Sequence, residues 1–153
     1  MRELRRKDRA LPEELAELVL ADGEYGVLAT AGKEYPYAVP LNYVYKNGAI
    51  YFHSALEGQK LDLLKENPRV SFCVVGAAKI LPQKFSTAYK SVIAFGTAEL
   101  VEGEEKRQAL LELINKYAYE FQKAGQNYVE RDADKCIVVK ITVEHLTGKG
   151  RSE

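Results

Sequence analysis

The fold of this chain is decided by residues 35–68, which read YPYAVPLNYVYKNGAIYFHSALEGQKLDLLKENP. Two runs rich in aromatic and β-branched residues flank Asn47-Gly48, a pair that suits a tight type I′ hairpin turn. Soon after the second run, three leucines mark a short helix, which an Asn-Pro pair ends. The stretch therefore predicts an antiparallel hairpin that leads directly into a helix.

Strand composition continues on both sides of this hairpin. Four further segments share it: residues 24–32, 69–76, 91–100 and 135–148. Helical spacing of apolar residues marks residues 12–21 and about 104–122, whereas residues 77–90 are predicted mainly as a loop and residues 123–134 as a polar connection. Strands dominate and no regular βαβ alternation occurs. The sequence predicts a mainly β protein, a small antiparallel barrel with peripheral helices.

Length, charge and hydropathy narrow the class of protein. The 153 residues suit one domain, predicted over residues 1–153, because no linker or repeat divides them. The 22 Lys and Arg balance the 22 Asp and Glu, which argues against a nucleic-acid-binding protein that relies on bulk positive charge. The basic start, MRELRRKDR, precedes a carboxylate-rich segment and not the apolar core of a signal peptide. With no long apolar run for a membrane helix, we expect a cytoplasmic protein that binds no membrane.

The residue types needed for nucleophilic or metal chemistry are scattered. No Gly-x-Ser-x-Gly elbow is present, which disfavours a hydrolase. His53 and His145 are the only histidines, and neither has a partner at metal-ligand spacing, so no metal site is predicted. Cys73 and Cys136 lie in separate strand-like runs, a position typical of buried free thiols.

The corner between the hairpin and the helix, FHSALEGQK, has the composition of an anion site. Ser54 supplies a hydroxyl, Gly58 lets a ligand approach the backbone, and Lys60 supplies charge next to the free amides of a helix start. The alternative is an ordinary surface corner, in which these residue types serve turn geometry and solubility. Spacing alone favours that alternative.

Two further features admit a binding role and a structural one. Pro40 interrupts a strand and marks an edge, a bulge or an opening, where free backbone groups can meet a planar ligand. An edge strand protected against aggregation explains it equally well. Tyr89, Lys90 and Ser91 enter another strand, and Lys90 is suited to pair with a carboxylate or a ligand phosphate. Gly96 in that strand permits close backbone approach or ordinary barrel curvature.

Taken in order, several segments resemble a known family: RRKDR, YPYAVPLNYVY, IYFHSALEGQKLDLLKENPRVSF, YKSVIAFGTAEL and KITVEHLTGKGR. They resemble the nitroimidazole-resistance (Nim) group of the pyridoxamine-5′-phosphate-oxidase-like flavoproteins. The match runs nearly end to end, and FHSALEGQKLDLL is its most specific part. The resemblance implies a split β-barrel of the antiparallel six-stranded type. It also implies a homodimer with one FMN in each of two clefts at the subunit interface.

The resemblance implies a set of cofactor-binding residues: Val39, Pro40, Leu41, Asn42, His53, Ser54, Gly58, Gln59, Lys60, Tyr89, Lys90, Ser91 and Lys149. The first four would lie along the isoalloxazine ring, with backbone groups around Pro40 and Leu41 at its polar edge. His53 and Ser54 would line the cleft, and residues 58–60 would hold the phosphate. Residues 89–91 would approach from the partner subunit. Lys149, together with Arg151, would add charge near the site.

A flavin in this cleft implies an oxidoreductase that acts on small molecules, and the family name points to nitroaromatic or nitroimidazole reduction. His53 is the candidate for a substrate or proton-transfer role, with a structural hydrogen bond as the alternative. Pyridoxamine phosphate is disfavoured as a substrate, because Gln59-Lys60 replaces the Arg-Lys pair of the vitamin-B6 oxidase and its Arg-x-His motif is absent. The alternative function is a non-catalytic flavin- or haem-binding dimeric module for storage or sensing. A degenerate barrel kept for its dimer surface is disfavoured by the intact HSALEGQK block.

Overall fold

Seven antiparallel strands form one sheet in the computed structural model, which describes residues 1–153. The strands are β1 (Gly26–Thr30), β2 (Tyr37–Leu41), β3 (Val44–Lys46), β4 (Ala49–Ser54), β5 (Arg69–Leu81), β6 (Ser86–Val101) and β7 (Ile137–Arg151). The helices are α1 (Glu13–Asp22), α2 (Gln59–Glu66), α3 (Gly103–Tyr117) and α4 (Gln122–Asp132). Short 3-10 turns cover Lys7–Arg9, Pro82–Lys84, Tyr119–Phe121 and Ala133–Lys135. The mainly β fold with peripheral helices is confirmed.

The sheet curls because its two edge strands are neighbours in the chain. The strand order is β2-β1-β5-β6-β7-β4-β3, and only Asn42 and Tyr43 separate β2 from β3. One predicted strand run, residues 35–45, therefore changes partner in its middle, since β2 pairs with β1 and β3 pairs with β4. Counted by hydrogen bonding, the sheet has seven strands and not the expected six. Because β2 and β3 are halves of one run, the architecture is still that of a split barrel.

The hairpin between β3 and β4 has the predicted turn. Asn47 has φ 51° and Gly48 has φ 75°, so both central residues occupy the left-handed region that a type I′ turn requires. Val44 pairs with Tyr51 and Lys46 with Ala49 across the hairpin. The Asn-Gly pair therefore fixes the register of the two strands that begin the functional region.

Two of the predicted connections are wrong. Residues 77–90 are not mainly a loop, because β5 and β6 continue as a hairpin arm with pairs from Ala78–Tyr89 to Leu81–Ser86. Residues 123–134 form most of α4, and the helix predicted to run to about residue 122 ends at Tyr117. Gly125 lets α4 approach α3 closely, since a Cβ there would lie 2.3 Å from Cγ2 of Ile114. Tertiary contact, which local polarity does not reveal, stabilises this second helix.

Two apolar clusters hold the layers together. The first fills the barrel interior and includes Phe52, Phe72 and Tyr43, each fully buried. Tyr43 and Phe72 meet edge to face with 4.9 Å between their ring centroids. The second cluster lies outside the barrel, where α3 and α4 cover β4 and β7. The helix pair therefore shields only one side of the barrel wall.

Candidate functional site

The barrel is split where β4 no longer pairs with β3, although it remains paired with β7 on its other side. Pairing between β3 and β4 ends at Val44–Tyr51, although β4 continues to Ser54. On the other side of this opening lies the free edge of β2, which contains Pro40. Pro40 is therefore in an edge strand, where its missing N–H removes no ladder bond to a further strand. The predicted segments 39–42 and 53–54 lie on opposite sides of one opening.

Side chains of α3 replace the missing strand partner at the junction of β2 and β3. The Tyr117 hydroxyl accepts a hydrogen bond from the Tyr43 amide at 3.0 Å. Its own hydrogen faces the carbonyl oxygens of Tyr43, at 3.0 Å, and of Glu24, at 2.7 Å. Lys116 Nζ also donates to the Tyr43 carbonyl at 3.0 Å and lies 4.0 Å from the centroid of the Tyr43 ring. Burial raises the pKa of Tyr117 and lowers the pKa of Lys116.

Sequence reasoning missed this pair of residues. Tyr117 lies within residues 104–122, for which the sequence predicts only an amphipathic helix. It binds Tyr43 across 74 positions of sequence. No local pattern signals such a contact. The one available signal was the residue type, because a tyrosine on the apolar face of a helix needs a hydrogen-bond partner for its hydroxyl.

The start of α2 has the features of an anion site. Gly58 has φ +153°, and a Cβ there would meet no atom within 4 Å, so the space above the helix start is open. The first helical bonds run from Leu61 and Asp62 to the Gly58 carbonyl, and no side chain caps the helix. The amides of Gln59 and Lys60 precede those bonds and point away from the helix body.

Ser54 adds a buried hydroxyl to this corner. Its side chain is only 5% exposed, and its Oγ is the one buried side-chain polar atom of the molecule without a hydrogen-bond partner. An unpaired buried hydroxyl is costly and uncommon, and a ligand oxygen would satisfy it. None of the ion pairs of the molecule involves Lys60, whose ammonium is therefore available to an anion. The hydroxyl, the amides and the cation all lie within residues 54–60 of the chain.

His53 and Ser54, though adjacent, face opposite sides of β4. Ser54 follows the buried parity of Ile50 and Phe52, which point into the barrel. His53 instead borders a cavity of about 200 Å³ between β4 and the helix pair α3–α4. None of the side-chain hydrogen bonds of the molecule involves His53, so the structural hydrogen bond considered for its imidazole is not present. The structure thus places the two residues in different surroundings.

The ring-binding segment also alternates along β2. Val39 and Leu41 pack against the barrel core, whereas Pro40 and Asn42 are exposed. The inward side chains anchor the strand, and the outward backbone edge of β2 has no neighbouring strand. This segment offers a planar ligand mainly backbone groups.

Residues 89–91 lie far from the split in the same chain. Tyr89, Lys90 and Ser91 pair with Arg151, Gly150 and Lys149 at one end of β7, whereas His53 pairs with Val138 near the other end. That separation corresponds to about 40 Å of strand. Strand alternation puts Tyr89, Ser91 and Lys149 on one face. Lys90 is on the opposite face, in a groove against α1.

The outer face of the sheet is apolar around β6. One row of paired residues crosses five strands: Pro40, Val27, Cys73, Ile93 and Thr147. Of the nearby side chains on this face, Ile93 is 39% exposed and Val75 is 58% exposed. Antiparallel sheets usually have polar residues on a solvent-facing side. An apolar face of this kind is typical of a protein interface.

The thiols and the acidic groups offer no further chemistry. Burial raises the pKa of both Cys73 and Cys136, which keeps them in the unreactive thiol form at neutral pH. Both are only partly buried, and they form no disulfide. The structure contains no group of three His, Cys, Asp or Glu residues that could hold a metal ion. None of its helices has the length and apolar composition to span a membrane.

Comparison with known proteins places these features in a family. The pyridoxamine 5′-phosphate oxidase family matches residues 12–150. A curated relative, an uncharacterized protein of Rhizobium meliloti (strain 1021), is 31% identical over 88 residues, which cover 58% of this chain and 54% of the relative. The match therefore spans about half the length of that curated relative.

Three solved structures are similar over most of the chain. One is described as a candidate 5-nitroimidazole antibiotic resistance protein from Bacteroides thetaiotaomicron, with 26% identity, a TM-score of 0.75 and coverage of 92% and 85% of the two chains. Another is a FAD-binding protein from Mesorhizobium loti, with 25% identity, a TM-score of 0.68 and coverage of 94% and 98%. A conserved hypothetical protein from Mycobacterium tuberculosis has 22% identity, a TM-score of 0.80 and coverage of 97% and 90%, and shows the shared fold. The resemblance to Nim-like proteins is confirmed, and the chain belongs to the pyridoxamine 5′-phosphate oxidase family.

Proposed function

We propose that this protein binds FMN in the split of its barrel, as a homodimer, and acts as an oxidoreductase on small molecules. The observation that carries the proposal is the buried, unpartnered Ser54 hydroxyl at the end of β4, from which the chain leads into the open start of α2. A phosphate group satisfies this hydroxyl and the free amides at once. The Mesorhizobium loti relative, described as FAD-binding, supports a flavin as the ligand.

The proposed site residues form two groups, one at the phosphate of FMN and one at its ring. Ser54, Gly58, Gln59 and Lys60 would hold the phosphate through a hydroxyl, backbone amides and one positive charge. The free edge of β2, residues 39–42, would lie along the ring and offer backbone groups to its polar atoms. Bound FMN supplies the electron-transfer chemistry, and the protein contacts orient the substrate and exclude water. Nitroaromatic compounds are the proposed substrate class, supported by the likeness to the 5-nitroimidazole resistance protein.

Two observations support the homodimer. The apolar outer face around Ile93 is suited to pack against an identical face of a second chain. Tyr89, Ser91 and Lys149 are too far along the strands to reach the split of their own chain, so a shared site requires them to come from the partner. The dimer would therefore complete two equivalent clefts.

Replacing Ile93 with aspartate is expected to yield a monomer. A charge in the centre of an apolar interface is buried without a partner, which costs about 3–5 kcal/mol. The dimer dissociation constant should rise at least about a hundredfold. Light scattering coupled to size-exclusion chromatography measures the mass directly. Leu100→Asp, on the same strand but outside this face, is the control and should remain dimeric. A dimeric Ile93→Asp protein would contradict the proposed interface.

The catalytic proposal is tested through His53. The His53 side chain faces the opposite side of β4 from Ser54, so a catalytic role requires a substrate that reaches it from the side of α3 and α4. In that case His53→Ala should leave FMN affinity within about twofold while lowering turnover about a hundredfold or more, because general acid–base groups contribute effects of that size. Turnover is followed as the oxidation of NAD(P)H in the presence of a nitroimidazole. His145→Ala removes the other histidine, which lies on β7 opposite Phe95, and should leave turnover unchanged. Equal losses in the two variants would remove His53 from the mechanism.

Purification of the protein tests the overall proposal. The protein should carry the yellow flavin absorption or acquire it when FMN is added, and the colour should bleach with a donor. A flavin that stays oxidised with every donor tried would contradict the oxidoreductase and leave the storage or sensing module. Absence of both flavin and haem binding would contradict the two functions together.

A further inference from the structure

The hairpin arm at residues 77–90 carries an aromatic side chain that its own chain does not cover. Phe85 lies at the tip of the arm and is 98% exposed, and Ile80 on the same arm is 74% exposed. Phe85 has φ 46° and ψ 48°, in the left-handed region that is strained for a bulky residue. An exposed ring held in a strained conformation at the end of an arm is typical of an anchor residue at an interface.

A cavity that suits such a ring lies outside the barrel, between β4 and the helix pair α3–α4. Its volume is about 200 Å³, and its floor consists of the buried apolar residues Leu110, Leu113 and Val129. An apolar cavity of about 150 Å³ already accepts a benzene ring. Tyr128, which is 58% exposed, also borders the cavity and is able to meet an inserted ring edge to face. The cavity therefore complements a phenylalanine side chain in size and in polarity.

The arm continues the face that the proposed dimer would bury. Tyr89 and Ser91 have the same strand parity as Ile93, so the outer face extends along β6 to the base of the arm. The cavity also lies on the outer side, because α3 and α4 cover β4 and β7 from outside the barrel. Packing of two outer faces would thus bring the arm of one chain to the side of the other chain on which the cavity lies.

Distances along the chain allow the arm tip of one chain to reach the cavity of the other. The proposed dimer brings Tyr89 of one chain to the split of the other, where β4 ends at Ser54. Phe85 precedes Tyr89 by four residues, which is about 13 Å of extended chain. His53, the residue before Ser54, borders the cavity from the outer side of β4. We infer that Phe85 of each chain inserts into the α3–α4 cavity of the other chain.

This insertion occurs twice in a symmetric dimer. A buried aromatic side chain contributes about 150–250 Å², so the two rings supply about 300–500 Å² of the roughly 1,200–2,000 Å² that a stable interface buries. The apolar outer face around Ile93 supplies the remainder. The inference rests on the proposed function, because only the dimer brings the arm to the cavity.

Cross-linking tests the insertion directly. Cys136 borders the cavity and is a free thiol, so a thiol introduced by Phe85→Cys would lie next to Cys136 of the other chain. A short bismaleimide should therefore convert most of this variant into a covalent dimer, seen by denaturing electrophoresis. A bridge within one chain is excluded, because the two positions lie near opposite ends of β7, about 45 Å apart along the strand. Adding Cys136→Ser should abolish the cross-link, whereas adding Cys73→Ser should preserve it.

The strength of the dimer gives a second measurement. Phe85→Ala should raise the dimer dissociation constant at least about thirtyfold, because an aromatic anchor in a pocket is an interface hot spot and this change removes two of them. The unfolding of the single chain should not change, since the ring contacts little of its own chain. Tyr35→Ala removes another exposed ring, 79% exposed before β2, and should leave the dissociation constant unchanged. An unchanged dissociation constant in the Phe85 variant would overturn the inference.

The outcomes separate the inference from the proposed function. A dimeric Phe85→Cys protein without a cross-link that depends on Cys136 would overturn the insertion while the dimer stood. An original protein that is monomeric at every concentration tested would overturn the proposed dimer and the inference together. Phe85→Trp adds an independent readout, because the chain contains no other tryptophan. Its emission should be that of a buried indole in the dimer and of an exposed one after Ile93→Asp is added, and exposed emission in the dimer would overturn the inference.

Discussion

Replacing Lys60 with alanine is expected to weaken FMN binding by about ten- to a hundredfold. Lys60 has no ion-pair partner and lies in the first turn of α2, where a bound phosphate would meet its ammonium. A hydrogen bond to a charged group contributes about 1.5–3 kcal/mol, which corresponds to that loss in affinity. Fluorescence titration of flavin-free protein gives the affinity directly.

The fold itself gives Lys60 no reason to be positively charged. A cation in the first turn of a helix opposes the helix dipole by about 0.3–1 kcal/mol, so Lys60→Ala should leave the unfolding temperature unchanged or slightly raised. Lys65→Ala, at the opposite end of the same helix, is the control and should leave FMN affinity unchanged. Unaltered FMN affinity in the Lys60 variant would contradict the phosphate site at α2.

Replacing Gly96 with alanine is expected to destabilise the protein by about 3 kcal/mol, as overpacking of a rigid site does. A Cβ at Gly96 would lie 2.1 Å from the Thr142 carbonyl oxygen and 2.9 Å from Cγ2 of Ile141. The first atom is backbone in β7 and has no rotamer to adopt. The pairing of β6 with β7 is already irregular between Phe95 and Gly96, so both strands would have to move. Urea unfolding, followed by circular dichroism, measures the loss.

Gly76→Ala is the matched control for the effect at Gly96. Gly76 also lies at an irregularity, between Val75 and Ala78 of β5. A Cβ there would have its nearest neighbours at 3.5 Å, which is an ordinary contact. The change in unfolding free energy should stay within about 0.5 kcal/mol. Equal stability of the two variants would show that Gly96 serves curvature alone and not close approach to β7.

The parts of the fold that sequence predicted are those fixed by neighbouring residues. The first helix was expected over residues 12–21 and runs from Glu13 to Asp22, because its apolar spacing and the following Asp-Gly pair are local. The hairpin turn at Asn47-Gly48 follows from backbone preference alone. The arm at residues 77–90 was missed because its residues are largely exposed and show no apolar alternation, although they pair along the whole hairpin.

In the candidate site, too, the parts that could be predicted are those formed by contiguous residues. Residues 54–60 are contiguous, so the strand end, the glycine and the helix start could be predicted together as an anion corner. The different faces of His53 and Ser54 follow from strand alternation, but the cavity behind His53 requires the position of α4, which was not predicted. The opposite faces of Lys90 and its two neighbours also follow from strand alternation, whereas the groove that Lys90 lines depends on where α1 packs.

The hydrogen bonds between Tyr117 and Tyr43 also couple helix α3 to the opening of the barrel. A hydroxyl on α3, and not a neighbouring strand, completes the backbone bonding at the point where β2 and β3 change partners. The opening of the barrel therefore has this hydrogen bonding only while α3 is docked. A ligand that binds only the finished opening must stabilise the docked helix, by thermodynamic linkage. The amide protons of α3 should then exchange more slowly in the liganded protein, although the helix itself lies outside the opening.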